Sequence, residues 1–274
     1  MKTLYAILTT HCNLSCSHCD IRNPNESYNE DKFLEQIRNF DGTIILFGGE
    51  PTIYMDRFTK VLDTGKINSI TTNLLIMDDY ILSRYKHYSS IGTSWNASRF
   101  TSEQYQLWLE NIKILELNNI KCTVIITLTE DLMTGNVTEF LNMVRLWGSE
   151  YKAIHAILLE HVVADNPPEY YAMADEWLCN VYKYWDIPIS NRIIGKLGNW
   201  LHACDEIMTL DPDGNIRQGC PHPYRCYVPS ECSTCDITHK CRPCQLQEYC
   251  TYPHRLAKLV EDTEGNNIVQ VTDG

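Results

Sequence analysis

Residues 11–20 read HCNLSCSHCD, and the cysteines in this stretch, Cys12, Cys16 and Cys19, are spaced C-x3-C-x2-C. A set this tight reads as a ligand set rather than as surface thiols with nothing to hold. Zinc sites close with four protein ligands or leave one position to water. A four-iron cluster held by three thiolates instead leaves one iron open to a small chelating molecule. The spacing therefore favours an iron–sulfur site, with zinc as the alternative. The run before the loop, TLYAILTT (3–10), is strand-like. A loop that follows the first strand of a parallel sheet stands at the sheet's C-terminal mouth, where sites in such sheets gather.

Working outward from that loop, short apolar runs alternate with helical patterns up to about residue 200. The further strand candidates are residues 42–49, 69–75, 90–96, 121–129 and 153–163. Most are rich in Ile, Val, Leu and Thr without clean polar alternation, as expected of strands covered on both faces. Between them, residues 29–40 place Phe33, Ile37 and Phe40 on one helix face. Residues 101–118 place Tyr105, Leu109, Ile112 and Leu115 or Glu116 at helical spacing, with Thr101 or Ser102 as the N-cap. Residues 137–148 end on Gly148, a C-cap candidate. Repeated βα units joined by right-handed crossovers curl a parallel sheet, and six of them make an open, partial barrel rather than a closed eight-stranded one.

The chain has 274 residues, 44% of them hydrophobic, which allows one large domain or a domain with an appendage. Its formal net charge of −12 argues against charge-driven binding to a large nucleic acid. Nothing in the sequence reads as a signal peptide or a membrane span, so the expected address is the cytoplasm. In a reducing compartment, thirteen cysteines point to metal or redox chemistry rather than to disulfides. Three lie in the opening loop and eight lie between Cys204 and Cys250. Cys122 and Cys179 stand alone in apolar segments and are expected in the core.

A second motif, FGGEP (Phe47–Pro51), ends the second strand candidate. Gly48 and Gly49 allow close backbone approach, Glu50 offers an acceptor, and Pro51 stops the strand. Alone this is a turn; one βα unit beyond a three-cysteine loop it carries more information. Together the two motifs resemble the radical S-adenosylmethionine (radical SAM) superfamily over about the first 200 residues. The resemblance implies an α/β fold, a partial (βα)6 barrel. It implies that Cys12, Cys16 and Cys19 ligate a 4Fe–4S cluster whose open iron is chelated by SAM. Backbone around Gly48 and Gly49, with Glu50 and Pro51, would hold the SAM ammonium, and His18 would pack near the adenine. Weaker matches follow. Thr71–Asn73, including Thr72, resembles a turn that lines the SAM pocket, although a strand-end turn reads the same way. Ser94, Asn96 and Arg99 in SWNASR (94–99) stand where relatives reach SAM's carboxylate and ribose, but Asn96 replaces an acid common there. Glu160 and His161, at the end of the sixth strand, are expected at the mouth as substrate-side catalytic candidates.

Near residue 200 the periodicity stops and Pro, Gly and Cys become dense, so residues 201–255 are expected to be organised by bound metal, with a C-terminal helix or tail over 256–274. Cys232-x2-Cys235-x5-Cys241-x2-Cys244 is a metal signature that by itself fits zinc as well as iron–sulfur. The pattern IMTLDPDGNIRQGC (207–220) reads as strand, turn, strand, with Asp213-Gly214 at the turn. This small Cys-rich extension resembles the SPASM and twitch extensions of radical SAM enzymes, which implies one or two auxiliary 4Fe–4S clusters. By that analogy Cys232, Cys235, Cys241 and Cys250 hold one. Cys204, Cys220 and Cys244 hold the other, with Cys226 as its fourth ligand or as a free catalytic thiol that returns a hydrogen atom. The gap between Cys241 and Cys244 is one residue tighter than usual in that pattern.

The chemistry implied is reductive cleavage of SAM to a 5′-deoxyadenosyl radical that removes a hydrogen from a substrate. Such extensions point to oxidation, cross-linking or epimerisation of a peptide or protein. A small molecule or a modified nucleobase is the alternative substrate, and a non-catalytic zinc or iron–sulfur scaffold is the alternative class. A flavodoxin- or ferredoxin-like electron donor is implied as a partner. With the first strand starting at Thr3, a separate peptide-recognition partner is expected for a leader-dependent substrate.

Overall fold

The computed structural model describes residues 2–19, 21, 27–96, 98–161, 168–184 and 207–218. Its frame is a run of βα units. Strand β1 (Thr3–Thr9) leads through the cysteine loop to helix α1 (Glu30–Asn39). Strand β2 (Thr43–Gly48) leads into a 3-10 stretch, Pro51–Phe58, and a short helix α2 (Thr59–Leu62). Strand β3 (Ile67–Thr72) is followed by α3 (Asp79–Tyr85), β4 (Ser90–Trp95) by α4 (Ser102–Leu117), and β5 (Cys122–Leu128) by α5 (Glu130–Met133) and α6 (Val137–Glu150). Strand β6 (Ile154–His161) is followed by α7 (Pro168–Lys183), and a hairpin of β7 (Ile207–Leu210) and β8 (Ile216–Gln218) completes the described chain.

The sheet order is β6-β5-β4-β3-β2-β1-β7-β8. Every pairing is parallel except β7 with β8, and β6 and β8 are the two edges, so the sheet is curled but not closed. The hairpin expected at 207–220 is present, and β7 pairs in parallel with β1. The sheet thus runs past the six βα strands into the start of the Cys-rich segment. The turn of the hairpin packs on the start of α1: Asn29 N–H donates to Pro212 O at 3.0 Å and Lys32 Nζ bonds Asn215 Oδ1.

Two series of strand residues define the two faces. Leu4, Ala6, Ile44, Leu46, Ile70, Ile91, Val124, Ile126, Leu128, Ile157 and Leu159 are buried in the core. Thr93 belongs to this helix-side series, since its Oγ1 accepts from Trp108 Nε1 of α4 at 2.9 Å. The alternate residues, among them Tyr5, Phe47, Ser69, Thr71, Ser94, Ile125 and Thr127, are only partly buried and line the concave face.

The helices form where the apolar spacing places them, with informative differences. Helix α1 buries Phe33, Leu34 and Ile37, and Asn29 caps it by accepting from Lys32 N. Helix α4 starts on a capping box, Thr101 with Gln104, but buries Trp108, Asn111, Ile112 and Leu115. Tyr105 and Leu109 are only partly buried, because the indole of Trp108 takes the place beneath β4. Helix α6 does not stop at Gly148; it runs on to Glu150, and Tyr151 N–H closes the last turn on the carbonyl of the buried Trp147 at 2.9 Å. Strand β3 ends at Thr72, not at residue 75. Leu74 takes a positive φ of 60°, and the side chains of Thr72 and Asn73 capture the N–H groups of Leu74 and Leu75, turning the chain out of the sheet.

Candidate SAM and cluster site

The loop after β1 carries Cys12, Cys16 and Cys19, all half-buried and none in a disulfide. Cys19 N–H turns back on Cys16 O at 3.3 Å. Burial pushes the Cys12 thiol above its ordinary range, while the Leu14 N–H, 3.4 Å from its sulfur, and the nearby Arg99 pull the other way. Among the described residues, no three His, Cys, Asp or Glu side chains converge on a point that one metal ion could share.

The Gly-Gly pair fits its loop by contact. A Cβ on Gly48, whose φ is +138°, would lie 2.2 Å from Thr9 O, and one on Gly49 would lie 2.2 Å from His11 O. Only glycine lets the end of β2 approach the cysteine loop this closely. The approach is sealed by Gly49 N–H to Thr9 O at 2.8 Å and Glu50 N–H to His11 O at 2.7 Å. Pro51 opens the 3-10 stretch and is buried.

Glu50 is fully buried. Its Oε1 accepts from Thr52 N (3.1 Å), Thr52 Oγ1 (2.6 Å) and Thr72 Oγ1 (2.8 Å), and its Oε2 accepts from Asn73 N (2.6 Å). Four donors match the lone-pair capacity of a carboxylate. A ligand ammonium reaching Glu50 would have to share an oxygen with these donors. Asn73, also buried, donates from Nδ2 to Asn13 Oδ1 at 2.6 Å and so ties the end of β3 to the cysteine loop.

A cleft of about 450 Å³ opens between the cysteine loop and the loop after β4, lined by Asn13 to His18 and by Ser98, Arg99 and Gln104. Its volume is within the range of small-molecule sites. Arg99 has a buried Nε with no hydrogen-bond partner, and its guanidinium lies 5.8 Å from the Phe100 ring. A buried donor without an acceptor is costly unless a ligand supplies one, and a carboxylate matches the guanidinium fork. Asn96 is committed elsewhere: Nδ2 donates to Thr127 O (3.0 Å) and Thr129 Oγ1 (2.9 Å), and Oδ1 accepts from Ser98 N (3.0 Å) and Ser98 Oγ (2.8 Å). It joins the ends of β4 and β5 and thereby shapes the Ser98–Arg99 wall. Ser94 lies on the concave face, in register with Ile125.

The structure thus brings together Cys16, His18 and Arg99 around one cleft, with Cys12 at the start of the loop that lines it and Gly48, Gly49, Glu50, Thr72 and Asn73 behind that loop. The two β6 candidates end the strand, Glu160 in register with Thr127 and His161 in register with Leu128. Cys204, Cys220, Cys226, Cys232, Cys235, Cys241, Cys244 and Cys250 lie outside the described residues. Sequence reasoning missed Asn13, Ser98 and Gln104. The T-x-x-Q of Thr101–Gln104 was legible as a capping box, which places Gln104 in the first turn beside the β4 loop.

No protein-family model matches the sequence, and no curated protein matches it significantly. Solved structures do match. The crystal structure of Streptococcus suis SuiB bound to S-adenosylmethionine aligns with a TM-score of 0.58 at 14% identity, covering 87% of this chain and 71% of SuiB. SuiB bound to its precursor peptide SuiA aligns at 0.56 and 12% identity, covering 88% and 70%. The structure reported as SuiB alone aligns at 0.54 and 14%. The chain shares its fold with SuiB. At such identity the likeness is one of fold, and it meets the open parallel sheet expected from the two motifs. In this fold the cysteine loop and the Gly-Gly-Glu-Pro turn stand side by side at the strand ends. No described helix is long and apolar enough to cross a membrane.

Proposed function

We propose that the protein is a radical SAM enzyme that modifies a peptide or protein substrate. The observation that carries this is the cleft itself, where a three-thiol loop faces a buried arginine Nε that lacks an acceptor. Cys12, Cys16 and Cys19 hold a 4Fe–4S cluster, and Arg99 receives the SAM carboxylate. When bound, the reduced cluster supplies the electron that splits SAM into methionine and a 5′-deoxyadenosyl radical able to take a hydrogen from the substrate. The chain's own part is to bind, orient and keep water out. Gly48 and Gly49 press the end of β2 on the cysteine loop, Glu50 locks β2 to β3, and Asn96 sets the wall that carries Ser98 and Arg99. His18 lines the same cleft and faces the adenine end of the ligand. Ser94 meets SAM beside Arg99, and Glu160 and His161, at the end of β6, serve the substrate side.

The peptide reading draws support from SuiB, whose structure holds a precursor peptide. The eight late cysteines supply one or two auxiliary clusters, with Cys226 as ligand or hydrogen-donating thiol, and a flavodoxin- or ferredoxin-like protein supplies electrons. The test is iron, sulfide and zinc per chain on anaerobically reconstituted protein, with 5′-deoxyadenosine assayed after SAM and dithionite are added. About twelve irons with deoxyadenosine formed supports three four-iron clusters, and about eight supports one auxiliary cluster. Zinc without deoxyadenosine would overturn the enzyme reading.

A further inference from the structure

We infer that Asn73 is a positioning residue for the cluster loop, acting on Cys12 through Asn13; this rests on the reading of that loop as the holder of the cluster. Asn73 is 1% exposed, and each of its polar groups has a separate target. Its backbone N–H is held by Glu50 Oε2 at 2.6 Å. Its Oδ1 accepts from Leu75 N at 3.0 Å and makes the turn that ends β3. A turn of this kind requires only the oxygen. The Nδ2 is left for another task, and it is aimed at a residue sixty positions earlier, Asn13, at 2.6 Å. It also lies 3.9 Å from Cys12 Sγ. Asn13 itself is exposed, so this bond draws a surface residue of the cysteine loop onto a buried post.

The Cys12 sulfur has two N–H groups turned toward it, Leu14 N at 3.4 Å and Asn73 Nδ2 at 3.9 Å. As a thiolate Cys12 cannot donate, so it can only receive from these groups. N–H groups directed at cysteine sulfurs raise the reduction potential of an iron–sulfur cluster, and groups that orient metal ligands affect retention of the metal. Glu50 therefore reaches the cluster loop by two routes: its own N–H on His11 O, and its carboxylate through Asn73.

The test uses the reconstituted full chain and two readouts other than turnover: the rate of iron release to EDTA, and the midpoint potential of the cluster whose signal SAM perturbs. Asn13→Ala is the primary variant because it changes an exposed side chain and leaves the buried post intact. Iron should leave about ten-fold faster in Asn13→Ala and in Asn73→Ala, the scale seen when a group orienting a metal ligand is lost. The double variant should be no faster than Asn73→Ala, because both changes break one interaction. The potential should fall in both single variants. Asn13→Asp, which keeps an acceptor for the same N–H, should release iron at the wild-type rate. Wild-type release and potential in Asn13→Ala, or single effects that multiply in the double variant, would overturn the inference. Cys16→Ala separates the two levels. If that variant loses this cluster while Asn13→Ala is unchanged, only the role of Asn73 fails. If Cys16→Ala keeps it, the reading of the loop fails as well.

Discussion

At the ends of β2 and β3, Glu50 is fully buried and four protein donors surround its carboxylate. At the ends of β1 and β4, Arg99 keeps a buried Nε without a protein acceptor, and the three cysteines of the loop are half-buried and outside any disulfide. The two regions share one rim but treat polar groups in opposite ways. The first spends its hydrogen bonds on itself, as a brace must, because an unmet group in a dry site weakens the fold. The second includes a buried Nε that no protein acceptor meets and that a ligand carboxylate would match. The difference separates residues that hold the site's shape from residues that meet what binds there.

The largest expected effect lies on the ligand side. Cys16→Ala should abolish SAM cleavage, scored as 5′-deoxyadenosine under dithionite; full cleavage would break the comparison at its root. Next comes the brace. Glu50→Gln places an amide where backbone and hydroxyl donors now converge, and should cost about 2–5 kcal/mol of stability in a denaturant titration. A variant with unaltered stability would show that Glu50 is not structural. Arg99→Ala should weaken SAM binding about 10–100-fold, the worth of a charge-assisted pair, while stability stays within about 1 kcal/mol. Away from the rim, Thr101→Ala removes the capping box of α4 and should cost about 1 kcal/mol without touching SAM affinity.

The smallest expected change is none. Cys122 is buried at the start of β5, and burial pushes its thiol up to about 12 from an ordinary 9.0. Folding thus favours the protonated thiol, so stability is retained below pH 9.0 and declines as pH rises toward about 12. At pH 8 the native apo chain should be alkylated at Cys12 and Cys16 and spared at Cys122, mapped by mass spectrometry. Labelling of Cys122 in the folded chain would contradict its place in the core.

Much of the fold was legible in the sequence because its signals are local. The β1–β6 runs lack polar alternation, and helices on one side and a narrow concave face on the other are what such strands need. The three-cysteine loop and Gly48-Gly49 were legible for the same reason, since spacing and a missing Cβ are properties of a few adjacent residues. What escaped depends on pairing. The end of β3 moved to Thr72 because side-chain bonds to Leu74 and Leu75 N–H outcompete the ladder. Gly148 stayed inside α6 because Trp147, one residue earlier, packs in the core and carries the last turn past it. Glu50 and Asn96 looked ligand-facing because sequence reports a carboxylate or an amide but not the donors that fold around it.

The division of the rim is tested most directly by SAM titrations of the reconstituted wild type, Arg99→Ala and Glu50→Gln, each compared at equal fraction folded. The account predicts that Arg99→Ala, fully folded, loses affinity about 10–100-fold, and that the folded fraction of Glu50→Gln keeps more of it. Wild-type affinity in Arg99→Ala, with the loss confined to a stably folded Glu50→Gln, would reverse the assignment and place the ligand on the β2–β3 side.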